Sequence, residues 1–526
     1  MTLAISKIRG TSAPGRKHRR VFVIMLASLL LRISCFAAKP PDPEAQTSRR
    51  LESLRNSPNL LRLFLEQMPK GGDLHNHLSG AIYAESYIKF AVADGLCVDR
   101  ATRTLLPPPC DPGSGKPPAA AAYSDPELYA QLINAFSMRH FDPGRESGHD
   151  HFFASFGKFF LAARAHTGEM VAEARAQAAR DHVQYLELML TPDDGAPALG
   201  AKFGWNADLP ALRAQLISGG LANVLTTSRA QLDAAEAKSS ETLHCGSPQA
   251  EPGCNVTVRY LYQVLRGLPP EQVFAQILTG FEMASADPLF VGLNLVQPED
   301  SYVPMRDFNL HMKMLDFLSK IYPRVPITLH AGELTSRLVP SDGLFHVRAS
   351  IEQGHARRIG HGVDVLYEPR PLELLREMAR RHILVEIGLT SNDEILGVRG
   401  AQHPFPEYLR ANVPVALATD DEGVSRSNLT EEFLRAVESY GLTYSQLKKI
   451  VRNSLHYSFL PGPSLWQDDG YIHATPPCAT KFSAPGKISS DCSSFLKSSA
   501  RAQEEFKLEE ALGTFEKATA ASPPSK

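Results

Sequence analysis

The chain has 526 residues, of which 43% are hydrophobic, 21% charged and 8% aromatic. That is an ordinary globular composition, long enough for one large decorated domain or several smaller ones. Lys and Arg number 55 against 57 Asp and Glu, a formal charge of -2, so the basic excess that a nucleic-acid partner needs is missing. Collagen-like, coiled-coil and wholly disordered chains are excluded. No run reaches the roughly 18 uninterrupted apolar residues of a membrane-spanning helix.

Residues 1–38 read as an export signal. Arg9, Arg16, Lys17, Arg19 and Arg20 precede the apolar segment 21–31, and Cys35, Phe36, Ala37 and Ala38 follow it. A basic segment, an apolar segment and small residues in that order make a cleavable signal peptide. Arg19-Arg20-Val21-Phe22 loosely matches a twin-arginine motif. The protein is therefore expected in the periplasm or outside the cell, with no stable membrane insertion after cleavage. Without Cys35, six cysteines remain, in three local couples: 97 with 110, 245 with 254, and 478 with 492. Export and an even count favour disulfides, although six cysteines permit fifteen connectivities.

Residues 39–67 read as a Pro-rich linker, to about Ser48, and an N-terminal helical stretch that Pro58 splits in two. The segment 68–460 follows, with eight short apolar stretches that read as strands: 72–78, 183–190, 256–261, 290–297, 325–330, 358–361, 382–387 and 413–420. Helix-like stretches separate most of them, as at 308–321, 344–353 and 372–381. Such alternation implies a parallel sheet, and eight strands fit a closed (β/α)8 TIM barrel better than an open sheet. A helical insertion is expected at about 91–180, and 461–526 is a C-terminal extension. Lys448, Lys449 and Arg452 read as a solvated helix face.

The polar exceptions fall at strand C-terminal ends, where barrel active sites lie. The first strand ends His75-Asn76-His77, and residues at i and i+2 of a strand face the same side. Further strands end His330-Ala-Gly-Glu333, Gly360-His361-Gly362 and Thr419-Asp420-Asp421. Three histidines and a carboxylate on one rim suit a catalytic divalent metal, most often zinc. Taken singly, each string has a plain structural reading as a turn, a helix cap or a core histidine. Their conjunction in this order carries the metal site.

Met68-Pro-Lys-Gly-Gly-Asp-Leu-His-Asn-His-Leu78, Leu329-His-Ala-Gly-Glu333, Arg358-Ile-Gly-His-Gly362 and Ala418-Thr-Asp-Asp421 resemble the adenosine deaminase family of metal-dependent hydrolases. The approach to the first histidines and the export signal are most similar to its secreted, growth-factor-related branch. The resemblance runs from about residue 68 to 435. It implies that His75, His77, His330 and Asp420 bind one zinc ion per chain, which brings the pKa of bound water from 15.7 towards about 7. It also implies that Glu333 protonates N1 of a 6-aminopurine, that His361 orients the attacking water, and that Asp421 shares a hydrogen bond at N7. The products are inosine and ammonia. Zinc deaminases with a C-x-x-C signature are excluded, because the chain has no such motif.

Three stretches depart from the family pattern, one of them 386–392, which keeps Ser391-Asn392 but lacks the usual Cys-Pro. Ser79 stands where an Asp near the ribose is usual, and Gln297 stands where a Gly approaches the purine. Both are expected to border the substrate, and both place its identity, more than the reaction, in question. The expected partners are a purine nucleoside and water. A homodimer stays open, since growth-factor relatives dimerise. The phenylalanines at 152, 153, 156, 159 and 160 read as helix packing in preference to an aromatic wall over the purine. The leading reading is deamination of adenosine and 2′-deoxyadenosine. Its alternatives are deamination of another 6-aminopurine, such as adenine or an N6-substituted adenine, and a non-catalytic secreted binding protein.

Overall fold

Eight parallel strands alternate with helices around one axis in a computed structural model that describes residues 42–192, 195–479 and 488–521. The export-signal reading falls on residues 1–38, outside the described residues. Strand β1 (Gly71–His77) is followed by a small antiparallel hairpin, β2 (Cys97–Asp99) and β3 (Thr104–Leu106). The remaining barrel strands are β4 (Val183–Leu190), β5 (Thr257–Leu265), β6 (Phe290–Val296), β7 (Thr328–Ala331), β8 (Arg358–His361), β9 (Leu384–Ile387) and β10 (Val415–Leu417). They form two parallel sheets, β1-β4-β5-β6 and β7-β8-β9-β10. Parallel bridges close both seams, Leu293 with Ile327 and Asn76 with Asp420. The result is the (β/α)8 barrel that the alternation implied.

All eight expected strands are present. β6, β9 and β10 are almost continuously apolar because helices cover one face and the barrel interior the other. The third expected strand runs on to Leu265, and the last begins later, at Val415.

The decorations differ more from expectation. Pro58 does begin a second helix, Pro58–Gln67. The linker is shorter than expected, because the first helix already starts at Pro43 and buries Thr47 completely. Asp42 caps it by accepting from the Glu44 N–H. The insertion after β1 is helical for most of its length, with Pro126–Ala135, Gly148–Ala165 and Thr167–Arg180, but it also holds the β2–β3 hairpin. Cysteines pair as the local couples suggested: Cys97–Cys110, Cys245–Cys254 and Cys478–Cys492.

The expected solvated face at Lys448 and Arg452 is corrected. Lys448 is buried between Glu44 and Glu516, 2.7 Å from each. Arg452 forms a two-point pair with Glu509. Two of these three partner glutamates, Glu516 and Glu509, lie on the C-terminal helix Ala500–Ala521. That helix also sends Glu504 to Gln184 and Thr257, at the starts of β4 and β5. The tail therefore covers the N-terminal end of the barrel, away from the site. No helix among the described residues is long and apolar enough to cross a membrane.

Candidate active site at the barrel rim

The four motif strings meet at the C-terminal rim. His75 and His77 project from β1, His330 from β7 and His361 from β8, while Asp420 follows β10. His75 Nε2 and His77 Nε2 each lie 3.1 Å from His330 Nε2. Asp420 Oδ1 is 3.4 Å from His75 Nε2 and from His77 Nε2. Around one zinc with metal–nitrogen bonds of about 2.0–2.1 Å, tetrahedral ligand atoms stand roughly 3.3 Å apart. These separations match that geometry.

The other ring nitrogens explain why the cluster fits a cation. His75 Nδ1 is 2.7 Å from the Glu386 carboxylate. His330 Nδ1 is 3.0 Å from Asn294 Oδ1, which also accepts the His330 backbone N–H. His77 Nδ1 is 3.0 Å from Gln263 Oε1. Each Nδ1 thus faces an acceptor and carries the proton, which leaves three Nε2 lone pairs aimed at one point. Lone pairs so close repel unless a cation lies between them. Burial first, and then the neighbouring imidazoles, push His330 well below its usual range and His77 down to about 4. Burial also opposes charge on His75, yet Asp420 and Glu386 carry it up to about 10, so positive charge at its Nε2 is strongly favoured.

Backbone geometry supports the convergence. Asp420 has φ 62 and His361 has φ 69, left-handed values that residues other than glycine seldom adopt. Asp420 is fixed there by two 2.9 Å bonds, from its N–H to the His75 carbonyl and from the His77 N–H to its own carbonyl. Gly360 makes room for His75, because a Cβ at that position would lie 2.5 Å from the His75 ring. Gly80 does the same for Asp421, whose Oδ1 would overlap any Cβ there.

His361 stands beside the cluster, 4.0 Å from Asp420 Oδ2. A chain of hydrogen bonds assigns its tautomer. The Phe405 N–H donates to His403 Nδ1. His403 Nε2 therefore bears the proton and donates to Asn392 Oδ1 at 3.0 Å. This turns the Asn392 amide nitrogen towards His361 Nδ1, also at 3.0 Å. His361 Nδ1 must accept, so Nε2 carries the proton and faces the cavity. A protonated Nε2 cannot be a metal ligand, which leaves His75, His77, His330 and Asp420 as the set that could hold one. Burial foremost lowers His361 to about 4 and His403 to about 3, in keeping with neutral rings.

Two buried acids complete the floor. Glu333 is held well above the usual carboxyl range by burial, and then by the charges of Asp420 and Glu299. Asp421 is raised by burial and by Asp420. Both are therefore biased towards the protonated form, which can donate. Glu333 Oε1, His361 Nε2 and Asp421 Oδ1 are buried and lack a partner among the described residues, and all three residues line the same cavity of about 960 Å³. Asp420, by contrast, is kept charged: burial disfavours this, and His361, His75 and His77 outweigh it.

The substrate-side residues are placed less uniformly. Ser79 lines the cavity from the short helix Leu78–Ala81. Gln297 also lines it, with φ 88, the backbone a glycine would favour. Its amide oxygen, however, accepts the Gly267 N–H at 2.7 Å, which removes that oxygen as a substrate acceptor. Phe152 and Phe159 are packed into the core, as expected, but Phe153, Phe156 and Phe160 line the cavity with Phe152. The reading of the phenylalanines as helix packing is thus only half of the account.

Sequence reasoning left most of the residues behind the rim unread, and it offered Glu299 as a pocket residue, whereas Glu299 sits behind the rim. Glu299 accepts the N–H groups of Gly332 and Glu333 at 3.1 and 2.9 Å and pairs with His346. Arg266 fixes the carbonyls of Gln297 and His330. Glu386, Asn294 and Gln263 orient the histidines. Glu386 and Asn294 share a signal: each is a lone polar residue inside an apolar strand, whereas the strand of Gln263 also carries Thr257 and Arg259.

A match to the family model described as adenosine deaminase covers residues 146–465, well over half of the chain. The protein belongs to the adenosine deaminase family. His330, Glu333, His361, Asp420 and Asp421 lie within the matched residues, whereas His75 and His77 precede them. Among relatives, an adenosine deaminase of Enterococcus faecalis is 34% identical over 137 residues, 26% of this chain and 37% of that protein. An aminodeoxyfutalosine deaminase of Streptomyces coelicolor is 34% identical over 135 residues, 26% of this chain and 32% of that protein. The matches thus span about a third of the length of these family members. Arabidopsis ADAL complexed with IMP shares the fold, with a TM-score of 0.54 and 18% identity over 86% of this chain and 99% of that one. The apo N6-methyl-AMP deaminase from Arabidopsis thaliana does so with a TM-score of 0.51 and 19% identity, over 76% and 94%.

Proposed function

We propose that the protein hydrolyses the 6-amino group of adenosine and 2′-deoxyadenosine, releasing inosine or deoxyinosine and ammonia. The observation that carries this reading is the convergence of three Nε2 lone pairs and Asp420 beside two buried acids, Glu333 and Asp421, whose pKa values burial raises. His75, His77, His330 and Asp420 would hold one divalent cation, and zinc suits this nitrogen-rich set. When bound, such an ion supplies acidification of water, whose pKa falls towards about 7.

The chain's own groups do the rest. Glu333 donates its proton to N1 of the purine, which makes C6 electrophilic. Asp421, protonated, donates to N7. The His361 Nε2–H donates to the attacking water oxygen and fixes its approach to C6. The C6–O bond forms, the tetrahedral centre collapses and the C6–N bond breaks. One water proton leaves with the amine as ammonia, and the other replaces the proton that Glu333 delivered.

Deamination of a different 6-aminopurine is the second reading. It is favoured by Gln297, whose side chain is folded back onto Gly267, and by the absence of a charged group at Ser79. A purely non-catalytic role gains no support, because every acid and ligand the chemistry needs is in place. We further infer an exported protein: residues 1–38 have the order of a signal peptide, and three disulfides suit an oxidising compartment. Ammonia release from adenine nucleosides, nucleotides and free bases, with and without a chelator, tests the reaction. Chelator-sensitive release from adenosine supports it, and no release from any of them contradicts it.

A further inference from the structure

The C-terminal extension lies at the far end of the barrel from the site, yet a continuous series of contacts joins it to the histidine cluster. Arg358, the first residue of β8, is fully buried between two carboxylates. Its Nε is 2.5 Å from Glu386 Oε1, and its Nη2 is 2.5 Å from Glu187 Oε2. The other oxygen of Glu386 lies 2.7 Å from His75 Nδ1. A displacement of Arg358 is therefore passed to Glu386 and to the imidazole that Glu386 orients.

The stretch that leads into the extension holds Arg358 in turn. Arg358 Nη1 donates to the Tyr457 carbonyl at 3.1 Å. The Phe459 ring centroid is 3.7 Å from Arg358 Cζ, a cation–π contact with a buried cation. Glu187 Oε1 accepts the Phe459 N–H at 2.8 Å, so one carboxylate ties both partners together. Phe459 is also wedged against β6, where a Cβ at Gly292 would lie 2.9 Å from its ring. The extension then fixes the following residues by directed bonds. Arg501 Nη2 donates to the Leu460 carbonyl at 3.0 Å, Ser499 Oγ to the Pro463 carbonyl at 2.6 Å, and the Leu465 N–H to Glu505 at 2.5 Å. Behind them stands a small separate core, which holds Trp466, Tyr471, Phe506 and the Cys478–Cys492 disulfide. A cover needs only apolar packing, whereas these bonds set the position of one segment beneath a buried ion pair.

We propose that the C-terminal extension is a positioning element for the metal site, acting through Phe459, Arg358 and Glu386 to set the His75 imidazole. This rests on the cation site proposed above and leaves its ligands and chemistry unchanged. Phe459 and Arg358 are positioning residues, since neither lines the cavity of the site.

The test titrates the zinc-loaded full chain and its variants with a chromophoric chelator. Phe459→Leu takes the ring from beside the guanidinium, and Arg501→Met frees the Leu460 carbonyl. Each should weaken zinc binding by about 10-fold. Phe64→Leu is the control, because Phe64 packs on Phe515 of the same tail, 5.2 Å between ring centroids, but lies off this route. It should lower Tm and leave zinc affinity unchanged. Unchanged affinity in Phe459→Leu or Arg501→Met overturns the proposal. So does an equal fall in Phe64→Leu, which would make the tail a stabiliser alone. Should a variant not fold, hydrogen exchange in the wild type decides. Coupling is reciprocal, so stripping zinc should speed exchange at the Phe459 and Leu465 N–H groups by about 10-fold, and exchange indifferent to zinc overturns the proposal. If the wild type binds no zinc, the cation reading fails separately, and the Tm losses of Phe459→Leu, His75→Ala and their double variant decide the route. Losses that do not add sustain it, and additive losses overturn it.

Discussion

Asn392 Nδ2 lies 3.0 Å from His361 Nδ1, and this contact decides which nitrogen of His361 carries its proton. The amide is oriented in turn by His403, and His403 by a backbone N–H. In the proposed mechanism His361 is thereby set as a donor to the attacking oxygen, and its protonated Nε2 would be withheld from a cation. Asn392→Asp replaces the donor with an acceptor and should move the proton to Nδ1. We expect kcat to fall by about 10- to 100-fold, with metal content unchanged. Steady-state kinetics with metal analysis checks this, and a variant that loses metal instead would place His361 among the ligands.

Glu386 is the partner of His75 and also of Arg358, which is fully buried. Glu386→Gln should weaken metal affinity by about 10- to 100-fold. It should also lower stability by several kcal/mol, on the order of the 3–5 kcal/mol lost when a buried ion pair is broken. Competition with a chromophoric chelator and denaturant titration measure the two effects. Unchanged affinity would remove Glu386 from the site.

Glu299 holds the turn that carries Glu333 by accepting two backbone N–H groups. Burial opposes its charge, but His346 and Arg266 keep it ionised. Glu299→Gln can accept only through one oxygen, so one N–H of the turn is left unsatisfied, at about 1–3 kcal/mol. The expected result is a fall in kcat larger than any rise in KM. A change confined to KM would show that Glu299 serves binding alone.

His149 ties the insertion helix Gly148–Ala165 to Asp300, at 2.9 Å, in the loop after β6. Bonding to Asp300, with help from Asp150, raises its pKa from 6.5 to about 9. A raised pKa stabilises the fold fully below the unfolded value and is lost as pH climbs through the folded one. The difference in Tm between the wild type and His149→Asn should therefore be largest near about pH 6 and shrink from about 6.5 to 9. Thermal melts across that range report it, and a constant difference would refute the ion pair.

The barrel and its rim were legible in the sequence for a physical reason. Apolar strands buried on both faces cannot hide His75, His330, His361 or Asp420, so their polar ends mark where the chemistry lies. The layer behind them was not legible. Asn294 is one polar residue in Phe290–Val296, and its partner His330 is 36 positions away. Glu386 meets His75 across 311 positions, a pairing that only barrel closure creates. Lys448 was misread because its helical spacing suits a solvated face, and the covering helix Ala500–Ala521 is fixed by contacts made in three dimensions.

The central claim is that His75, His77, His330 and Asp420 hold one cation on which turnover depends while Glu333 supplies the proton. Metal stoichiometry of the purified wild type, Glu333→Gln and His330→Ala tests it most directly. The account expects one zinc per chain in the wild type and in Glu333→Gln, although the latter is slowed by about 10²- to 10⁴-fold, and little metal in His330→Ala. Full metal content in His330→Ala, or a metal-free wild type that still releases ammonia, would contradict it.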